Sequence, residues 1–212
     1  MSDGVEDRLA HVYHAASQSE LAKTYDQWAA NYDADMQSIG YVHPAVMAGL
    51  TARYVARTDA AILDAGVGTG TIGGLLHILG YSKLSGVDMS PGMLERARAR
   101  AAYQDLQQGV LGEVLDFKTG QFDAIVSTGT FTTGHAPASA FDELTRITKK
   151  GGVLIFTVGL AVWSENGFKD KLDALCEAGL LKAVWKTVPY HPMPYSKTES
   201  VFQAVAHVYE RT

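Results

Sequence analysis

One stretch decides what this chain can fold into: Ile62-Leu63-Asp64-Ala65-Gly66-Val67-Gly68-Thr69-Gly70-Thr71-Ile72-Gly73. An apolar run enters it, an acid closes that run, and glycines follow at alternate positions. Beyond them Ile72, Leu75, Leu76 and Leu79 recur at helical spacing until Gly80 can end the helix. Strand, glycine turn and helix in that order build a nucleotide-type site at the carboxyl end of a parallel strand. Glycine lets the backbone turn tightly and approach a ligand that any β-carbon would hold off. The helix behind it aims the partial positive charge of its amino end at whatever sits there.

The spacing narrows the choice. A dinucleotide fingerprint reads G-x-G-x-x-G, whereas Thr71 follows Gly70 here and the pattern is G-x-G-x-G. No G-x-x-x-x-G-K-[ST] occurs, which excludes a P-loop. Downstream, Leu84-Ser85-Gly86-Val87-Asp88 is a short strand that again ends in an acid, one βαβ unit on. A carboxylate at that tip can accept both hydroxyl hydrogens of a ribose. Ser90 then suits an N-cap with Pro91 at the first helical position, and Met93 to Arg100 reads as helix.

Asp64-Ala-Gly-Val-Gly-Thr-Gly70 together with Gly86-Val-Asp88-Met-Ser-Pro-Gly-Met-Leu94 resembles the class I S-adenosylmethionine (SAM) dependent methyltransferases. The resemblance continues through Phe122-Asp123-Ala-Ile-Val-Ser127 and Phe141 to Ile155, and covers Ser17 to Glu210. Tyr25-Asp-Gln-Trp28-Ala-Ala-Asn-Tyr32-Asp33 and Gly134-His135-Ala-Pro137 are similar to the methyltransferase-like 27 (Williams–Beuren region 27) group. The resemblance implies a Rossmann-like, doubly wound α/β sheet of seven strands in the order 3-2-1-4-5-7-6, the last strand antiparallel. It also implies SAM as cofactor and S-adenosylhomocysteine as product. Cofactor contacts are implied at Tyr25, Tyr32, Asp64, Ala65, Gly66, Gly68, Gly70, Asp88, Met89, Val110, Leu111, Ser127 and Thr128.

At 212 residues and 47% hydrophobic, the chain can bury one large core. The expected organisation is one methyltransferase domain, with a helical lid over 17–57 and a Rossmann-like core over 58–212. A net charge of −5 argues against nucleic-acid or anionic-membrane surfaces, which need basic clustering. The single Cys176 forms no internal disulfide and fits a reduced, cytoplasmic setting. The first residues are too polar for a signal peptide, and no apolar run approaches a membrane span. The oligomeric state stays open.

Ser17-Gln-Ser-Glu20 reads as a capping box, whereas the residues before it carry little pattern, either loose or a lone helix. From Leu21 the residues Tyr25, Trp28 and Tyr32 follow at spacings of four, three and four, one continuous helical face. That stripe serves core packing, or it is the aromatic face of a lid over the methionyl end of the cofactor; Trp28 is assigned to packing and Tyr32 to the site. His43-Pro44 is expected as a turn, with His43 facing solvent or capping, and Ala45 to Arg57 as a helix on the sheet. Asp64 is either a strand-end acid satisfied by backbone N–H groups or, as the resemblance implies, the partner of the cofactor's ammonium group. Tyr103 to Gly109 is expected as the third strand. At its tip stands Val110, where many relatives carry an acid for the adenine amino group. Adenine would then rest on apolar contact and the backbone of Leu111 and Gly112, with Glu113 a substitute or a solvated charge.

Phe122 to Ser127 is apolar throughout, as a strand buried on both faces should be. Its exit loop, Thr128 to Pro137, is where this fold places its chemistry. There is no [DNS]-P-P-[YF] motif, no Pro-Cys nucleophile and no acidic metal cluster in it, which disfavours base or glutamine amino-methylation, cytosine C5 chemistry and a catechol-type site. Direct displacement remains, and His135 is the only titratable residue of the loop. It is a general base for a hydroxyl or thiol acceptor, or a loop histidine that only shapes the pocket. Ser139 to Lys149 and Phe168 to Glu177 are expected as helices, Val153 to Gly159 as the fifth strand, and Leu180 to Val188 with Val201 to Tyr209 as an antiparallel pair. Between that pair, the loop Pro189 to Ser196 reads as a connector whose Tyr190, His191 and Tyr195 could wall a pocket. The function expected is methyl transfer to a small molecule. The alternatives are a protein methyltransferase and a SAM-binding protein with little catalysis; an oxidoreductase is disfavoured by the glycine spacing and the lack of Tyr-x-x-x-Lys.

Overall fold

The computed structural model describes residues 4–212. Its centre is a sheet of β1 (Ala61–Ala65), β2 (Lys83–Asp88), β3 (Asp105–Gln108), β4 (Phe122–Phe131), β5 (Thr148–Gly159), β6 (Leu181–Lys186) and β7 (Ala204–Arg211). The strand order is β3-β2-β1-β4-β5-β7-β6, as the resemblance implied. β1 to β5 pair in parallel, and β7 runs antiparallel to both β5 and β6.

Alternation along the strands builds two cores, because successive side chains leave opposite faces of a sheet. Ile62, Ala124, Val126 and Ile155 go to one face, where α4 (His43–Tyr54) and α5 (Thr71–Ile78) cover them through Met47, Leu50, Ile72 and Leu76. Leu63, Ile125, Leu154 and Phe156 go to the other, under α7 (Ala140–Ile147) and α9 (Phe168–Glu177), which contribute Phe141, Leu144, Phe168 and Leu172. Burial on both faces is why β1 and β4 read as unbroken apolar runs. The remaining helices are α1 (Val5–Tyr13), α2 (Gln18–Trp28), α3 (Tyr32–Ser38), α6 (Pro91–Ala99) and the short α8 (Val162–Glu165). Among the described residues no helix is long and apolar enough to cross a membrane.

The local signals place several ends. Ser90 caps α6 by accepting the Met93 N–H at 3.1 Å, with Pro91 at the first turn. Ser17 likewise accepts the Glu20 N–H at 3.2 Å, but the Glu20 carboxylate takes the Ala16 N–H at 2.8 Å, so the reciprocal half of the capping box is displaced by one residue. α1 makes Val5 to Tyr13 of the opening stretch helical, and residues 1–3 of that stretch lie outside the described residues.

Four expectations are corrected. The aromatic stripe is not one helix: Ala29 to Asn31 break it, and the Asn31 N–H turns back to the Trp28 carbonyl at 2.9 Å before α3 begins. The Trp28 indole N–H donates to Asp35 at 2.7 Å, which folds α3 against the end of α2. His43 is not in a solvent-facing turn but opens α4, only 3% exposed, because the 189–196 loop closes over it and brings the Tyr190 hydroxyl to 2.6 Å from its Nδ1. β3 is shorter than expected, since Tyr103 leaves the strand path for a buried partner described below. β4 runs on to Phe131 through an irregularity after Ser127, so much of the expected exit loop is strand.

Candidate active site

The glycine loop sits where the sequence places it, between β1 and α5 at the carboxyl edge of the sheet. The Gly66 and Val67 N–H groups both donate to the Val87 carbonyl, at 2.9 and 3.0 Å, which ties the loop to β2. Gly66 has φ +77°, and a Cβ there would meet the Thr130 Oγ1 at 2.6 Å, so two constraints require glycine. Gly68 has φ +52° and its missing Cβ faces open space.

Asp88, at the tip of β2, accepts the Gly68 N–H at 2.8 Å on one carboxylate oxygen and the Ser90 N–H at 2.9 Å on the other. Burial raises its pKa and these backbone donors pull the other way. Each oxygen keeps a further lone pair, and the carboxylate borders a cleft walled by Tyr25, Tyr32, Gly66, Gly68, Met89, Leu111, Thr128 and His135. Nine of the residues singled out from the sequence, Asp88 among them, therefore meet in one place.

The others lie differently. Asp64 is 3% exposed at the end of β1 and opens to an adjoining cavity shared with Tyr32, Gly66, Gly68 and Thr128. Its Oδ2 accepts the Tyr103 hydroxyl at 2.6 Å, and the Tyr103 phenol oxygen in turn accepts the Gly73 N–H at 3.0 Å. Burial pushes the Asp64 carboxyl up to about 8; the Tyr103 phenol opposes that rise and nearby Asp88 adds to it. Ala65 and Ser127 form the floor rather than the wall: both are fully buried, and the Ser127 hydroxyl donates to the Ala65 carbonyl at 2.7 Å. Gly70 caps α5 against Ala97 and the Tyr103 ring. Val110 is half-buried outside the cleft lining, where Gly109 and Leu111 take part instead. Glu113 is exposed. Trp163, in the stretch after β5, stacks on His207 at 4.5 Å, away from the cleft.

His135 lines the same cleft as Asp88. Its Nδ1 is 2.7 Å from the Thr133 carbonyl, which can only accept, so Nδ1 carries the hydrogen and Nε2 presents a lone pair. The Tyr25 hydroxyl, 2.7 Å away, donates to it. Burial lowers the His135 pKa, with the Thr133 bond partly restoring it, and burial raises that of Tyr25 well above the ordinary phenol value. The pair joins residues 110 positions apart. Gln18 donates to the His135 carbonyl at 3.1 Å and fixes the same loop to α2.

Sequence reasoning missed Gln18, Met93, Gly109, Gly129 and Thr130 in the wall, and Tyr103 behind it. Tyr103 left one trace, the run of glycines it packs on: a Cβ on Gly73 would fall 2.1 Å from its ring.

Two observations test whether a nucleoside-bearing cofactor fits. The Thr128 Oγ1 is buried on the cleft wall with no partner, which suits a ligand that supplies one. The open space over Gly68 would be filled by any side chain there. The residues fit.

Residues 63–156 match a family described as a methyltransferase domain. Methyltransferase-like protein 27 of Homo sapiens is 34% identical over 172 residues, covering 80% of this chain and 69% of that protein. Among solved structures, a TehB-like SAM-dependent methyltransferase from Corynebacterium glutamicum superposes with a TM-score of 0.65 at 21% identity, over 88% of this chain and 99% of the other. Geranyl diphosphate C-methyltransferase from Streptomyces coelicolor A3(2), solved with Mg2+, geranyl diphosphate and S-adenosyl-L-homocysteine, gives 0.62 at 16% identity, over 95% and 87%. At such identities the two structures speak for the fold, and the human relative carries the family. Glycine loop, strand-tip acids, sheet order and relatives agree: the chain belongs to the class I SAM-dependent methyltransferases, an enzyme family whose cofactor is S-adenosylmethionine.

Proposed function

We propose that the enzyme methylates a small-molecule hydroxyl or thiol, with the Tyr25–His135 pair receiving the acceptor's proton. One observation carries this reading: Tyr25, Tyr32, Gly129 and His135 line both the cofactor cleft and a second cavity beneath α1, α2 and α3. A group that borders both spaces stands where an acceptor atom and a methyl donor would meet.

In this reading Asp88 holds the ribose hydroxyls, while Met89, Met93 and Leu111 supply apolar surface for adenine. Gly66 and Gly68 let the backbone come close, and Thr128, Tyr32 and Asp64 serve the methionyl end. SAM, when bound, supplies a methyl group already activated on a sulfonium. The chain's part is orientation, exclusion of water and handling of a proton. His135 is uncharged near neutral pH because burial lowers its pKa, so its Nε2 can take a proton. The Tyr25 hydroxyl bonds Nε2 and the residue lines the second cavity, so it can pass a proton to Nε2 from the acceptor.

A helical lid on a Rossmann-like core remains the proposed organisation, with one refinement. α1 to α3 share a core of Leu9, Leu21, Trp28 and Met36 above the cleft, whereas α4 packs on the sheet and belongs with the core. A cover of mutually packed helices favours a small acceptor over a polypeptide segment.

The test is methyl transfer from tritiated SAM to a library of hydroxyl and thiol acceptors. With an accepted substrate, turnover should fall with decreasing pH below the ordinary histidine range, and His135→Gln should lower kcat by about 10²- to 10⁴-fold and remove that limb. S-adenosylhomocysteine affinity should hold. A His135→Gln enzyme with wild-type turnover would reduce His135 to a pocket wall.

A further inference from the structure

The second cavity has a chemistry of its own. Its walls include Tyr13, Trp28, Tyr41, Phe131, Met193 and Phe202, and no Asp, Glu, Lys or Arg lines it among the described residues. Flat aromatic walls with hydroxyl edges suit a ring-bearing ligand. Two polar groups inside this apolar enclosure lack partners. The Thr132 Oγ1 is buried with no hydrogen bond. His43 is 3% exposed, its Nδ1 is taken by the Tyr190 hydroxyl at 2.6 Å, and its Nε2 has no hydrogen-bond partner among the described residues. The buried Thr132 Oγ1 is costly unless something that enters satisfies it, and the His43 Nε2 is left able to bond a ligand.

Charge narrows the class further. An anion would be stripped of water with no Lys or Arg to meet it, and an ammonium would find no carboxylate. A cation would also sit near the sulfonium of a bound cofactor, which repels it. We infer that this cavity is the acceptor pocket and that it selects a neutral, ring-bearing alcohol, phenol or thiol whose second polar group, remote from the acceptor atom, is read by His43 and Thr132. The inference rests on the methyl-transfer reading above. It makes His43 a specificity residue, holding the far end of the acceptor while the Tyr25–His135 pair serves the near end.

The test is a matched series that differs only in the remote group: 4-(hydroxymethyl)phenol, 4-hydroxybenzoate and 4-(aminomethyl)phenol. Each is titrated by calorimetry into the protein saturated with S-adenosylhomocysteine, and each is assayed with tritiated SAM. The neutral phenol should bind at least about tenfold tighter than either charged analogue. His43→Phe should weaken it about tenfold and leave S-adenosylhomocysteine affinity unchanged. Because His43 is buried and its replacement can impair folding, Thr132→Val serves as a second variant, and it should weaken the neutral phenol by several-fold. Equal or tighter binding of a charged analogue overturns the inference, as does unchanged affinity in Thr132→Val. Selective binding of the neutral phenol without methyl transfer would sink the proposed reaction and leave the pocket assignment standing. Turnover of a charged acceptor would do the reverse.

Discussion

Replacing Asp88 with Asn is the sharpest probe of the cofactor cleft, because the change is nearly isosteric and every lost contact can be named. The wild-type carboxylate accepts the Gly68 N–H on one oxygen and the Ser90 N–H on the other. An amide has one oxygen, so one of those N–H groups must face an NH2 and lose its acceptor, at about 1–3 kcal/mol of stability. The proposed bonds from the ribose hydroxyls lose a charged acceptor as well, worth about 1.5–3 kcal/mol, which raises the Kd for S-adenosylhomocysteine about 10- to 150-fold. Calorimetric titration reads the second effect and thermal melting the first. Asp123→Asn is the control. That carboxylate accepts the Ala61 N–H at 2.8 Å and pairs with Lys149 at 2.7 Å, at the start of β4 and the opposite edge of the sheet. It should lower the melting temperature while holding the Kd within about twofold. An Asp88→Asn protein with wild-type affinity, or an Asp123→Asn protein weakened as much, would refute the ribose assignment.

Two further outcomes follow from particular contacts. Gly66→Ala should abolish S-adenosylhomocysteine binding, since its Cβ would press on the Thr130 Oγ1 from a left-handed backbone; adding Thr130→Ala should recover part of the affinity, leaving only the φ penalty of about 1 kcal/mol. No recovery in the double variant would mean that the backbone angle, not the contact, governs the loop. His207 is held at a pKa of about 4 by burial, with Lys186 adding to the effect. A folded pKa below the unfolded value of about 6.5 means that its contribution is complete above pH 6.5 and is lost as pH falls from there towards 4, about 2 kcal/mol by pH 5. Denaturant titrations should show His207→Phe losing about that much less stability than wild type between pH 7 and 5; parallel pH curves would count against a neutral buried His207.

The proposed acceptor pocket also explains why the amino-terminal helices carry so many aromatic residues. Tyr13 and Tyr25 both meet the His135 ring edge-on, at 5.9 and 5.8 Å between centroids, and Trp28 stacks on Tyr25 at 6.1 Å. The same rings pack among themselves and line the cavity, so core packing and the proposed acceptor pocket draw on one set of side chains.

The sequence by itself determined the frame. Runs such as Ile62 to Asp64 and Phe122 to Ser127, a glycine turn, two strand-tip acids and the Ser90-Pro91 cap are local signals, and local backbone preferences act on neighbours in the chain. Asp88, the glycine loop and His135 could therefore be named before any coordinate was known, and the strand order followed from the family resemblance. Only the tertiary structure decided what those groups touch. It gave Asp64 a phenol from Tyr103, 39 positions on, and His135 a phenol from Tyr25, 110 positions back. It buried His43 under Tyr190 across 147 positions and broke the aromatic helix at Asn31 to let Trp28 reach Asp35. None of these pairs has a periodicity, because each forms between segments that meet only when the sheet is assembled. Burial then changes their chemistry: the same carboxyl and imidazole groups titrate near ordinary values in water and far from them once water is excluded.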